Sequence, residues 1–265
     1  MTQRSDVIDY KIVGDDLQGV IITLDPNEQV LAEAGVMLYM TGGVQMQTTM
    51  STDQSQGFFG NFMRAVGRVF SGAGFFITTF TNQGQGRADV AFAAPYPGKI
   101  IPVDLKNYGG EIMCQKDSFL CAARGTEISV GFQKRLGAGF FGGEGFILQR
   151  LQGDGLAFLH AGGAIISHQL QPGEVLRVDT GCVVAFQPSV NFDIQFVGGF
   201  KNALFGGEGL FLATLTGPGH VMLQTLPFSR LIGRIAAGLP TPSSSGSGGN
   251  AVGDIVGGIF GGDRN

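Results

Sequence analysis

The sequence predicts an all-β protein built from three tandem β-sandwich repeats about a pseudo-threefold axis. Three observations carry that prediction. Glycine supplies 45 of the 265 residues, more than twice the ~7% of an average chain, and glycine weakens helices while gathering where a chain turns. Only 14% of the residues are charged against 43% hydrophobic, a balance that buries a core rather than leaving the chain disordered. Two local markers also recur three times in the same order, the signature of repeat architecture. The glycines keep no period of three, which excludes collagen.

Taken in order, the first copy opens on the apolar run Gly19–Leu24 and the turn Asp25-Pro26-Asn27, after which comes Gln29-Val30-Leu31. The same marker follows a turn at Glu111-Ile112-Met113 and again at Glu174-Val175-Leu176. Each marker precedes a further apolar run, at residues 36–40, 118–122 and 182–186. The second marker is glycine-rich. Phe141-Gly142-Gly143-Glu144-Gly145-Phe146 returns 64 residues later as Phe205-Gly206-Gly207-Glu208-Gly209-Leu210, and a worn copy reads Phe70-Ser71-Gly72-Ala73-Gly74-Phe75. Between the markers, residues 127–132, 156–160, 164–167, 192–197 and 220–225 are short, rich in β-branched and aromatic side chains, and bounded by glycine or proline, which predicts strands. Residues 61–69 allow two helical turns. One unit of this size makes a thin core, so the copies are expected to pack on one another.

The repeats are drawn at 7–105, 106–168 and 169–232, within a domain of residues 1–232. A linker and tail follow at 233–265. Residues 239–250 have the composition of a flexible linker, and five glycines in 251–265 make a poor isolated helix. Neither a signal peptide nor an 18-residue apolar stretch is visible, so a cytoplasmic protein is expected. The net charge of −4 disfavours nucleic acid, which needs a basic face. Cys114, Cys121 and Cys182 form no CxxC pair and read as buried thiols in a reducing compartment.

The segments 14–35 (GDDLQGVIITLDPNEQVLAEAG), 92–105 (FAAPYPGKIIPVDL), 175–201 and 204–219 (LFGGEGLFLATLTGPG) resemble the mitochondrial biogenesis family named for altered inheritance of mitochondria, member twenty-four. The resemblance runs from about residue 7 to residue 232. It implies a fold similar to the tryptophan RNA-binding attenuator protein, with double-stranded β-helix-like sandwich units repeated three times, and further assembly into a homotrimer. Mitochondrial relatives are linked to inner-membrane organisation. No catalytic residue comes with the resemblance.

The residues themselves offer few candidates for chemistry. His160, His168 and His220 form no HxH or HExxH group, and no GxSxG elbow is present. His160 and His168 are expected on adjacent strands across Gly162-Gly163. The turns at Gly72, Gly74, Gly142, Gly143, Glu144, Gly145, Gly206, Gly207, Glu208 and Gly209 lack the lysine of a phosphate loop, and Ala73 breaks any threefold acidic site. Tight turns with positive φ explain them better. A candidate surface comes from cations beside phenylalanines: Arg64, Arg68 and Phe75; Lys134, Arg135 and Phe141; Lys201 and Phe205. If equivalent loops converge on one rim, that rim suits a protein interface or an anionic membrane surface. The expectation is a non-enzymatic, self-associating scaffold, peripheral to the membrane, with no cofactor. The competing expectation is a small-molecule-binding or enzymatic barrel using His160, His168, Glu144 or Glu208.

Overall fold

The computed structural model describes residues 5–51, 75–134, 145–196 and 211–238. The stretch at 61–69, the tail from 239 onward and most of the glycine-rich turns lie outside the described residues.

Strand β1 (Asp9–Val13) precedes three sets of six. The first set is β2 (Gly19–Leu24), β3 (Gln29–Glu33), β4 (Met37–Met40), β5 (Val44–Ser51), β6 (Phe75–Asn82) and β7 (Ala88–Phe92). The second is β8 (Gly98–Asp104), β9 (Glu111–Gln115), β10 (Phe119–Ala123), β11 (Glu127–Lys134), β12 (Phe146–Gln152) and β13 (Leu156–Gly162). The third is β14 (Ile165–Leu170), β15 (Val175–Asp179), β16 (Val183–Phe186), β17 (Asn191–Phe196), β18 (Phe211–Thr216) and β19 (Gly219–Gln224).

Every set is wired alike. Its first, sixth and third strands form one three-stranded antiparallel sheet, and its fourth, fifth and second form another. The repeat seen in the sequence is therefore a two-sheet sandwich. The hydrogen bonding groups β8 with unit two and β14 with unit three.

Turn chemistry explains the recurrence. Before β3, the Glu28 carboxylate accepts a bond from the Asp25 amide at 2.8 Å, and before β15 Glu174 accepts one from Gln171 at 2.8 Å. Both turns need a left-handed residue, supplied by Asn27 (φ 71°) and Gly173 (φ 80°). The ladders correct one sequence alignment. Val30 faces Phe80 and Ile112 faces Leu151, but Leu176, not Val175, occupies that place opposite Leu215. Glu174 holds the turn position of Glu28, not the strand position of Gln29, so the third marker is shifted by one residue.

Units join by edge pairing. β3 of unit one pairs with β10 of unit two, and β9 of unit two pairs with β16 of unit three, so two continuous six-stranded sheets run across the junctions. Three apolar clusters follow in series: Val20, Ile22, Phe80 and Phe92 in the first; Ile112, Leu151, Leu159 and Val184 in the second; Phe146, Phe186, Leu215 and Val221 in the third. The N-terminal segment bridges the first junction: the Asp6 amide donates to the Arg124 carbonyl at 3.0 Å and the Asp6 carboxylate accepts from the Gln29 amide at 2.8 Å.

A helix, α1 (Phe228–Gly238), ends the described chain and crosses residue 232, where the sequence reading ends the domain. Arg230 pairs with Asp179 at 2.9 Å, and the Phe228 ring stacks on Tyr96 with centroids 4.9 Å apart.

Candidate functional site

The third strand of each unit is apolar: Met-Leu-Tyr-Met in β4, Phe-Leu-Cys-Ala-Ala in β10 and Val-Val-Ala-Phe in β16. All of β10 and all of β16 are buried, while all of β4 is exposed. Leu120 and Val184 are 1% and 0% exposed, whereas Leu38 and Tyr39 stand 59% and 44% exposed. The cause is position. β10 and β16 have a preceding unit whose second strand pairs with them, and β4 has none. The opposite end shows the converse, since β15 is the one second strand without a following unit, and Val175 is 53% exposed. Beside β4, an open groove of about 510 Å³ is lined by Val13, Leu17, Leu38, Pro95 and Tyr96 among others.

Of the predicted rim, Arg64, Arg68, Arg135, Phe141, Lys201 and Phe205 lie outside the described residues, as do Gly72, Gly74, Gly142, Gly143, Glu144, Gly206, Gly207, Glu208 and Gly209. Phe75 opens β6. Gly145 has φ of 81°. Lys134 is committed locally: its ammonium donates to the Ile194 carbonyl at 2.6 Å and lies 3.6 Å from Asp193, tying β11 to β17.

The histidines do not converge. β13 carries His160 in the second sheet and β14 carries His168 in the third, which corrects the expectation of adjacent strands. The crossover follows from β14 opening the next unit. His160 is buried with Tyr96 edge-on at 4.5 Å, and burial lowers its imidazole from the usual 6.5 to about 4. His168 is exposed. Cys114 and Cys121 are buried, and desolvation pushes both thiols well above their ordinary range, so neither is a nucleophile near neutral pH. Glu33 is raised to about 7, chiefly by burial and then by Asp117, against the opposing pull of Lys116. Among the described residues no three His, Cys, Asp or Glu side chains gather as metal ligands, and no helix is long and apolar enough to cross a membrane.

Open terminal edges escape a reading of composition, because β4 carries the same apolar pattern as its buried counterparts. The available signal is order: the first and last units of a series lack one neighbour each.

Three serially joined sandwich units with exposed terminal edges define a repeat-built β protein. The chain belongs to the mitochondrial biogenesis AIM24 family, which it matches over residues 10–226. It is 28% identical over 227 residues to an uncharacterised protein of Streptococcus pyogenes serotype M6, covering 85% of this chain and 88% of the relative. The crystal structure of protein SPYM3_0169 from Streptococcus pyogenes has a similar fold, with a TM-score of 0.68 at 23% identity over 88% of this chain and 100% of that one.

Proposed function

We propose that this chain is a self-assembling, non-enzymatic scaffold that works against a membrane surface. The observation that carries the reading is the junction between units: edge strands pair and bury one another, and among the described residues the outermost two edges have no such strand beside them. In this reading the units turn about a common axis, as in the double-stranded β-helix arrangement of the attenuator-protein fold, and chains complete the arrangement as a homotrimer. The cations and phenylalanines upstream of the glycine turns supply the membrane-facing rim.

Light scattering on a size-exclusion column tests the assembly. A trimer of the 27.8 kDa chain has a mass of about 83 kDa, and a monomer at micromolar concentration contradicts the scaffold. Co-sedimentation with vesicles containing phosphatidylglycerol tests the surface. Wild type should pellet at low salt, and Arg64→Glu with Lys201→Glu should remain in solution. Equal pelleting with neutral vesicles contradicts the electrostatic part. Lys134 is left unchanged because it anchors β17.

A further inference from the structure

We infer that β15 of one chain pairs antiparallel with β4 of the next, in a register fixed by the two junctions inside the chain. This deepens the scaffold reading and rests on it. At the first junction Ala32 faces Cys121 and Leu31 faces Ala122; at the second, Cys114 faces Ala185 and Met113 faces Phe186. These are equivalent pairs. The second strands align through their partners Phe80, Leu151 and Leu215. The third strands align through an irregularity repeated at the same place, between Met37 and Tyr39, Phe119 and Cys121, and Val183 and Ala185. Continuing the series places Val178 opposite Tyr39, Arg177 opposite Met40, and Leu176 opposite Thr41.

The surfaces fit that register. Leu120 and Cys121 enter the core of the preceding unit, and Val184 and Ala185 do the same one unit on. Leu38 and Tyr39 are their counterparts, and the half-covered third core, edged by Leu176 and Val178, is what they would enter. Arg177 is the departure, standing where Leu31 and Met113 stand. Its aliphatic stem lies along Met40 in this pairing while the guanidinium keeps to water. The occupant is a second copy because the two edges are complementary to each other, not to themselves. Such an interface is heterologous, and it closes into a ring when the rotation permits.

Cysteine pairs test the register in a Cys182→Ser background. One preparation carries Met40→Cys, another Arg177→Cys, both at exposed positions. Tyr39→Cys with Val178→Cys forms the adjacent pair, so that one of the two sets falls at a closely spaced, non-hydrogen-bonded site. Mild oxidation of a mixture should give a linked dimer, with neither member linking alone. Linking of Met40→Cys with itself would overturn the proposal in favour of a symmetric β4 contact. A fast internal disulfide in a dilute chain carrying both Met40→Cys and Arg177→Cys would overturn it in favour of closure within one chain. No linking in either set, while wild type still scatters as an oligomer, would overturn the edge assignment and leave the scaffold reading standing. A monomeric wild type would remove both.

Discussion

Asn82 shows how much a single buried amide organises. Its side-chain nitrogen donates to the Leu24 carbonyl at 2.9 Å and the Gly86 carbonyl at 2.7 Å, and its oxygen accepts from the Gly84 amide at 2.9 Å. Asn82→Ala strands those groups in the core edge and should cost about 2–4 kcal/mol in denaturant unfolding. Glu33 and His160 give opposite pH signatures. The Glu33 carboxyl titrates near 7 folded against 4.5 ordinarily, so the folded state holds the extra proton and this group's stabilisation is lost as pH rises from about 4.5 to 7. Glu33→Gln should therefore be more stable than wild type at pH 8, the difference vanishing below pH about 4.5. His160 titrates near 4 against 6.5, so the unfolded state binds the proton first and stability falls as pH drops through that window. Urea midpoints from pH 4 to 8 check both signs, with the Glu33→Gln background removing the Glu33 arm.

Among the elements, β8 and β13 lie so close at one end that a Cβ on Gly98 would overlap the Ala161 carbonyl and the His160 ring. Gly98→Ala should destabilise by about 1–3 kcal/mol through overpacking, read as a lowered Tm. The strands were largely legible beforehand, because turn residues such as Asn27 and Gly173 punctuate them chemically. The one-residue offset at Leu176 was not, since Glu174-Val175-Leu176 matches Glu111-Ile112-Met113 as text and only the ladder to Leu215 decides between two registers. Helix α1 was missed for a different reason. Its apolar positions Phe228, Leu231, Ile232 and Ile235 keep helical spacing, but Gly233 interrupts the run and reads as a breaker. What holds α1 is tertiary: the Arg230–Asp179 pair and the Tyr96 stack.

At the scale of the molecule, triplication was readable because two markers keep order three times over. The open edge was not, because the exposure of Met37–Met40 follows from the place of its unit in the series and not from its own residues. The same physics that seals β10 against β3 leaves β4 open, and no property of the four residues distinguishes the cases. The direct test of head-to-tail pairing uses two blocked chains, one carrying Leu38→Lys with Tyr39→Lys on β4, the other Val178→Lys on β15, since edge lysines oppose strand pairing. Each keeps one working edge. Circular dichroism first confirms that both fold. Light scattering should then find each one monomeric alone, and an equimolar mixture should settle at a capped dimer of twice the chain mass. Wild-type-sized oligomers from either blocked chain, or a mixture that stays monomeric beside an oligomeric wild type, would contradict the account.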